Sequence, residues 1–112
     1  MADAELLPRT LNMLILKAVS LGAQHGYGVL LRIHQITGGA LVIEQGALYP
    51  ALYRLEHQGL LQTEWGVSEN NRKAKFYDIS KAGRKQLLAE TENWERVSGV
   101  IGRLLQLAPR SR

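Results

Sequence analysis

The stretch QGALYPALYRLEHQGLLQTEWGVSENNRKAKFYDI, residues 45–79, divides into one helix and two strands. From Gln45 to about Gln58 the apolar residues Leu48, Leu52 and Leu55 recur at helical spacing, which puts them on one face. Gly59 supplies a C-terminal stop. Pro50 lies in or just beyond the first turn, so a slight bend or a late start is expected there. Leu60–Trp65 and Ala74–Ile79 read as strands. Ser68, Asn70 and Asn71 between them favour turns, which predicts an antiparallel hairpin with a long exposed tip from Gly66 to Lys73.

Upstream, Leu6 to Leu21 carries apolar side chains almost all round, the pattern of a helix buried on more than one side. Pro8 fits its first turn and Gly22 its end. A short loop through Gln24-His25-Gly26 leads to a second helix, about Tyr27 to Ile36, with Val29, Leu30, Ile33 and Ile36 on one face and Gly38-Gly39 at its stop. An apolar stretch, Ala40–Ile43, then connects to the helix at Gln45. Downstream of the hairpin, Ser80 is a plausible N-cap for a last helix reaching about Leu107, roughly 40 Å at 1.5 Å per residue. Leu87, Trp94 and Ile101 repeat at sevens, with Val97 and Leu104 three residues after two of them, the a/d seam of a paired helix. A helix that overhangs its own domain with such a seam needs a partner. The tail Pro109–Arg112 is expected to fray.

The 112 residues suffice for one domain, and 46 % apolar with 21 % charged residues is ordinary globular composition. The absence of cysteine removes disulfides, thiolate zinc sites and thiol catalysis, and suits a reducing cytoplasm. No apolar run approaches a membrane span, and the N-terminal Met1–Glu5 is acidic where a signal peptide would be basic. A cytoplasmic protein without membrane association is expected. His25, His34 and His57 lack metal-ligand spacing, and no phosphate-binding loop, nucleophile elbow or H-E-x-x-H is present, so no metal, cofactor or enzymatic activity is expected. The net charge of +4 is unevenly spread. Residues 1–70 are net −2, whereas residues 71–85 carry Arg72, Lys73, Lys75, Lys81, Arg84 and Lys85 against Asp78 alone, net +5.

Three short helices followed by a basic hairpin are the parts of a winged helix-turn-helix, in which the second helix of the pair enters the DNA major groove. The expected fold is therefore mainly α with a small β-hairpin: a winged helix-turn-helix over residues 1–79, a long C-terminal dimerisation helix over 80–108, and a tail over 109–112. On the third helix, Gln45, Gly46, Tyr49, Tyr53 and Arg54 lie away from the leucine stripe, beside Pro50 and His57. Gln and Tyr side chains can bond phosphates or base edges, Arg54 can pair with phosphate, and Gly46 permits close backbone approach. Arg72, Lys73 and Lys75 in the hairpin could hold the flanking backbone. Lys81, Arg84 and Lys85 are weaker candidates. Leu11, Leu87, Trp94, Val97, Ile101 and Leu104 are the candidate dimer contacts. A second reading stays open on the residues alone: a winged helix that binds protein and does not recognise a DNA sequence.

Three blocks go further. Gly26-Tyr27-Gly28, Gly46-Ala47-Leu48-Tyr49-Pro50-Ala51-Leu52 followed by Arg54-Leu55-Glu56 and Gly59-Leu60, and Tyr77-Asp78-Ile79-Ser80-Lys81-Ala82-Gly83 together resemble the PadR family of bacterial transcriptional regulators. The similarity runs from about Leu7 to Leu105, and the short C-terminal part resembles the compact subfamily with one dimerisation helix. Ala47 and Ser80 stand where many relatives have Thr; the first change removes a hydroxyl from the DNA-facing end of the helix, and the second keeps capping ability. The resemblance implies a homodimeric repressor that binds an inverted-repeat operator in double-stranded DNA. It also implies release by a small aromatic or other apolar effector stacking on Trp94 near the dimer axis.

Overall fold

The computed structural model describes residues 8–111. The expected start of the first helix at Leu6 lies outside them. α1 (Pro8–Ser20) opens on its proline and buries Leu11, Ile15, Leu16, Ala18 and Val19. The carbonyls at its C-terminal end gain a neighbour: the Arg32 guanidinium donates to the carbonyl of Ala18 at 2.8 Å and to that of Gly22, just past the helix, at 2.6 Å.

Gln24-His25 departs from the expected loop. It forms a short strand, β1 (Gln24–His25), with Gln24 opposite Tyr77 and His25 opposite Phe76. His25 also caps α2 (Gly26–Ile36), its Nδ1 accepting the Gly28 N–H at 3.0 Å. Gly38 and Gly39, at φ +61° and +82°, terminate that helix as expected, the Gly39 N–H returning to the His34 carbonyl. Ile43 in the connection is buried in the core.

α3 (Gln45–His57) begins at Gln45 and continues through Pro50, so the late start is not realised. Pro50 has no N–H to return to the Gly46 carbonyl, but Leu48, Ala51, Leu52 and Leu55 bury one continuous face, which holds the helix across that gap. Gly59 at φ +76° turns the chain into β2 (Leu61–Val67), paired antiparallel with β3 (Lys73–Ile79) from Leu61↔Ile79 to Val67↔Lys73. Both strands extend further toward the tip than expected, so the turn is confined to residues 68–72, closed by the Ser68 N–H to Arg72 carbonyl bond at 2.8 Å. The sheet is three-stranded, in the order β1-β3-β2.

α4 (Lys81–Leu105) follows at once. Ser80 is its N-cap, as its position suggested: the hydroxyl accepts the Gly83 N–H at 2.9 Å and donates to the Gly59 carbonyl at 2.6 Å. The first turn of α4 is thereby fixed to the end of α3. Near its N-terminal half α4 packs on α1, where Arg9 and Glu90 pair at 3.1 Å. Beyond that it runs free of the core, and the chain spans 63 Å in its longest dimension.

Candidate nucleic-acid interface

The leucine stripe of α3 fixes what the helix presents outward. Gln45, Gly46, Tyr49, Pro50, Tyr53, Arg54 and His57 are all exposed. Tyr53 is 61 % exposed and stacks on His57, the next residue along that face, with ring centroids 3.9 Å apart. The His57 Nδ1 lies 2.9 Å from the Tyr53 carbonyl. Tyr49 is held differently, its ring lying against the backbone of Gly26, where a Cβ would come within 2.6 Å of the Tyr49 Cε1. Glycine at position 26 therefore lets the start of α2 and the middle of α3 close on one another.

The wing is braced to this helix from below. Lys75 Nζ donates to Glu56 Oε1 at 2.8 Å, and the Thr63 hydroxyl donates to the other carboxylate oxygen at 3.2 Å. One carboxylate on α3 thus holds both strands of the hairpin. The Lys75 hydrogen bond keeps the Glu56 carboxyl below the usual carboxylate range, and the same bond raises Lys75 above the usual lysine range. Lys75 was expected as a wing cation beside Arg72 and Lys73. It is instead engaged within the protein, because the register places it at the level of the last turn of α3. Arg72 and Lys73 are exposed at the tip, and Lys73 Nζ sits 5.1 Å from the centre of the Trp65 ring. Tyr77, beneath Lys75, is buried, and burial pushes its hydroxyl pKa up.

Between the start of α2, α3 and the wing lies a cleft of about 620 Å³. It brings Tyr49 together with Arg72, Lys73 and Lys75, and adds residues that sequence reasoning did not single out: Gln24, His25, Tyr27, Arg32 and Gln35. Tyr27 had a visible signal, a tyrosine between two glycines at a helix start. Gln24 and His25 reach the cleft through β1, where a loop is expected from the sequence, and Arg32 and Gln35 reach it from α2. Gln45, Tyr53 and Arg54 are not part of this cleft and belong to the outer surface of α3.

The expected dimer contacts divide in two. Leu11 is 6 % exposed and belongs to the chain's own core, so it is not available to a second subunit. α1 is apolar nearly all round, and the side bearing Leu11 faces inward. Leu87 packs against the same core at its edge. Trp94 (52 % exposed), Val97, Ile101 and Leu104 (69 %) are exposed along the later part of α4 among the described residues. A second cleft, of about 540 Å³, lies between α1 and α4, with Met13, Leu14, Leu87 and Trp94 among its apolar walls and Lys17 and Arg84 at its charged edge.

A helix pair presenting an exposed polar and aromatic face beside a basic antiparallel wing defines a winged helix-turn-helix transcription factor. The chain matches the transcriptional regulator PadR-like family over residues 15–89, and it belongs to that family. It is accordingly a DNA-binding regulator and not an enzyme. Solved structures with the same fold include a transcriptional regulator from Clostridium thermocellum, 28 % identical, with a TM-score of 0.79 over 88 % of this chain and 95 % of that one. A PadR-like transcriptional regulator from Bacillus cereus is 26 % identical, with a TM-score of 0.75 over 88 % and 93 %. A protein from Streptococcus mutans, also 26 % identical, aligns over 99 % of this chain and 100 % of its own with a TM-score of 0.80. No helix among the described residues is long and apolar enough to cross a membrane.

Proposed function

We propose that this PadR-like regulator acts in the cytoplasm as a homodimeric repressor, with α4 of each subunit paired about a two-fold axis and α3 of each reading one half-site of an inverted repeat. The observation that supports this most is the stripe of Trp94, Val97, Ile101 and Leu104, exposed among the described residues on a helix that runs on past the core. A two-fold axis there gives each subunit's recognition helix a symmetric counterpart, and operator symmetry follows protein symmetry. Gln45, Gly46, Tyr49, Tyr53 and Arg54 meet the half-site, and Arg72 and Lys73 hold the flanking backbone. Lys75 reinforces the positive potential of the cleft while serving mainly as the anchor of the wing.

The cleft beside Trp94 supports release by an effector. An aromatic or other apolar compound seated between α1 and α4 would bias the angle of α4, and with it the spacing of the two recognition helices. It shifts DNA binding only as far as its affinity differs between the two arrangements. Analytical ultracentrifugation of the full chain and of the Ile101→Glu, Leu104→Glu double variant tests the assembly. The parent is expected to sediment as a dimer and the variant as a folded monomer that has lost tight duplex binding. A parent that sediments as a monomer contradicts the proposal.

A further inference from the structure

Trp65 is 62 % exposed on β2, the edge strand of the sheet. The register fixes its surroundings. Leu61, Thr63, Trp65 and Val67 share a face with Ile79, Tyr77, Lys75 and Lys73 opposite them. The lower part of this face belongs to the fold: Leu61, Tyr77 and Ile79 are in the core, and Thr63 and Lys75 bond to Glu56 of α3. The upper part, Trp65 with Val67, continues past the core on the side of the wing that faces α3. An indole left this open contributes little to the fold, and an apolar side chain on an unpaired edge strand is a liability for association.

Its chemistry points to one class of partner. The ring offers a flat apolar face, an N–H donor at its rim, and the Lys73 ammonium held 5.1 Å from its centre. Around it the tip carries Arg72 and Lys73 against Glu69, at the start of the stretch of net charge +5 over residues 71–85. An apolar protein partner would meet a cation at the middle of this patch. A deoxyribose with its adjoining phosphate matches it: the sugar presents an apolar face and the phosphate oxygens accept from both the indole N–H and the ammonium. We propose that Trp65 is a DNA contact of the wing, lying against the sugar of the backbone that flanks the half-site, with Lys73 on the adjacent phosphate. This rests on the DNA-binding role given to α3 and the wing, and adds to it an uncharged contact whose energy does not come from counterion release.

That difference gives the test. Binding of the full chain to a duplex selected by the parent from a random pool is measured across salt concentrations for the parent, Trp65→Ala, Trp65→Phe and Lys73→Ala, with thermal unfolding of each as a control on folding. Trp65→Ala is expected to bind about tenfold more weakly, the scale of one lost aromatic contact to nucleic acid, with the slope of log affinity against log salt unchanged. Trp65→Phe, which keeps a flat ring, is expected to recover most of the loss. Lys73→Ala is expected to make the slope shallower by about 1. Trp65→Ala and Trp65→Phe both binding like the parent would overturn the inference while leaving the DNA-binding role of α3 and the wing intact. A parent chain that binds no duplex even at low salt would overturn both.

Discussion

Glu56 shows how much of the interface depends on one side chain that touches no DNA in the proposed arrangement. Its carboxylate fixes the angle between α3 and the wing through Lys75 and Thr63. Because its pKa is depressed, the stabilisation is fully present above the ordinary carboxylate range and is lost as pH falls through the lowered value. The raised pKa of Lys75 places the alkaline loss above the ordinary lysine range, so the pair is intact across neutral pH. Glu56→Gln is expected to flatten the acid side of the stability profile, read by urea unfolding at a series of pH values; an unchanged profile would mean the pair is not a stabilising brace. Two glycines separate structure from recognition. A Cβ at Gly83 would collide with the Leu60 carbonyl where α4 starts, so Gly83→Ala is expected to destabilise by about 1–3 kcal/mol despite the better helix former. A Cβ at Gly46 meets open space. Gly46→Ala should therefore gain up to about 1 kcal/mol of stability while weakening duplex binding, a combination that thermal unfolding and titration together would reveal. None of these pairings was readable from spacing alone, since Glu56 and Lys75 lie 19 residues apart on different elements. The Tyr49–Gly26 approach was equally hidden, although both residues sat in recognisable blocks.

At the scale of elements, the helices were legible because each carries its own period and its own stops. Leu48, Leu52 and Leu55 declare the inner face of α3, and Gly38-Gly39 and Gly59 mark ends that the positive φ values then require. β1 was not legible. Gln24-His25 has no apolar alternation, and it is a strand only because the backbone of β3 at Phe76 and Tyr77 is there to pair with it. At Pro50 the late start that local propensity allows is not realised, because the buried leucine face holds the helix from Gln45 onward. Leu11 was assigned outward because a helix apolar nearly all round does not reveal which side meets its own core. The Ser80 cap was read correctly from position, but its second bond, to Gly59, makes it a junction between α3, the sheet and α4. Ser80→Ala is accordingly expected to cost about 1–2 kcal/mol, at the upper end for a cap, in chemical unfolding. A loss within error would show that the Gly59 bond contributes nothing.

For the whole molecule, the arrangement of charge and apolar surface matters more than either total. The net +4 is a basic stretch over residues 71–85 attached to an acidic body, and the later part of α4 carries a run of exposed apolar residues, Trp94, Val97, Val100, Ile101 and Leu104. One is suited to a polyanion and the other to a copy of itself, and they adjoin along α4, where Arg84 and Trp94 line the same cleft. In the proposed arrangement two such chains read a symmetric operator. Its most direct test is selection of bound duplexes from a random pool by the full-length protein, followed by the stoichiometry of the selected complex. The expected product is an inverted repeat with half-site centres separated by about 10 bp or a multiple of it, bound by one dimer. Enrichment of a single unrepeated site bound by one chain, or no enrichment at all, would contradict it.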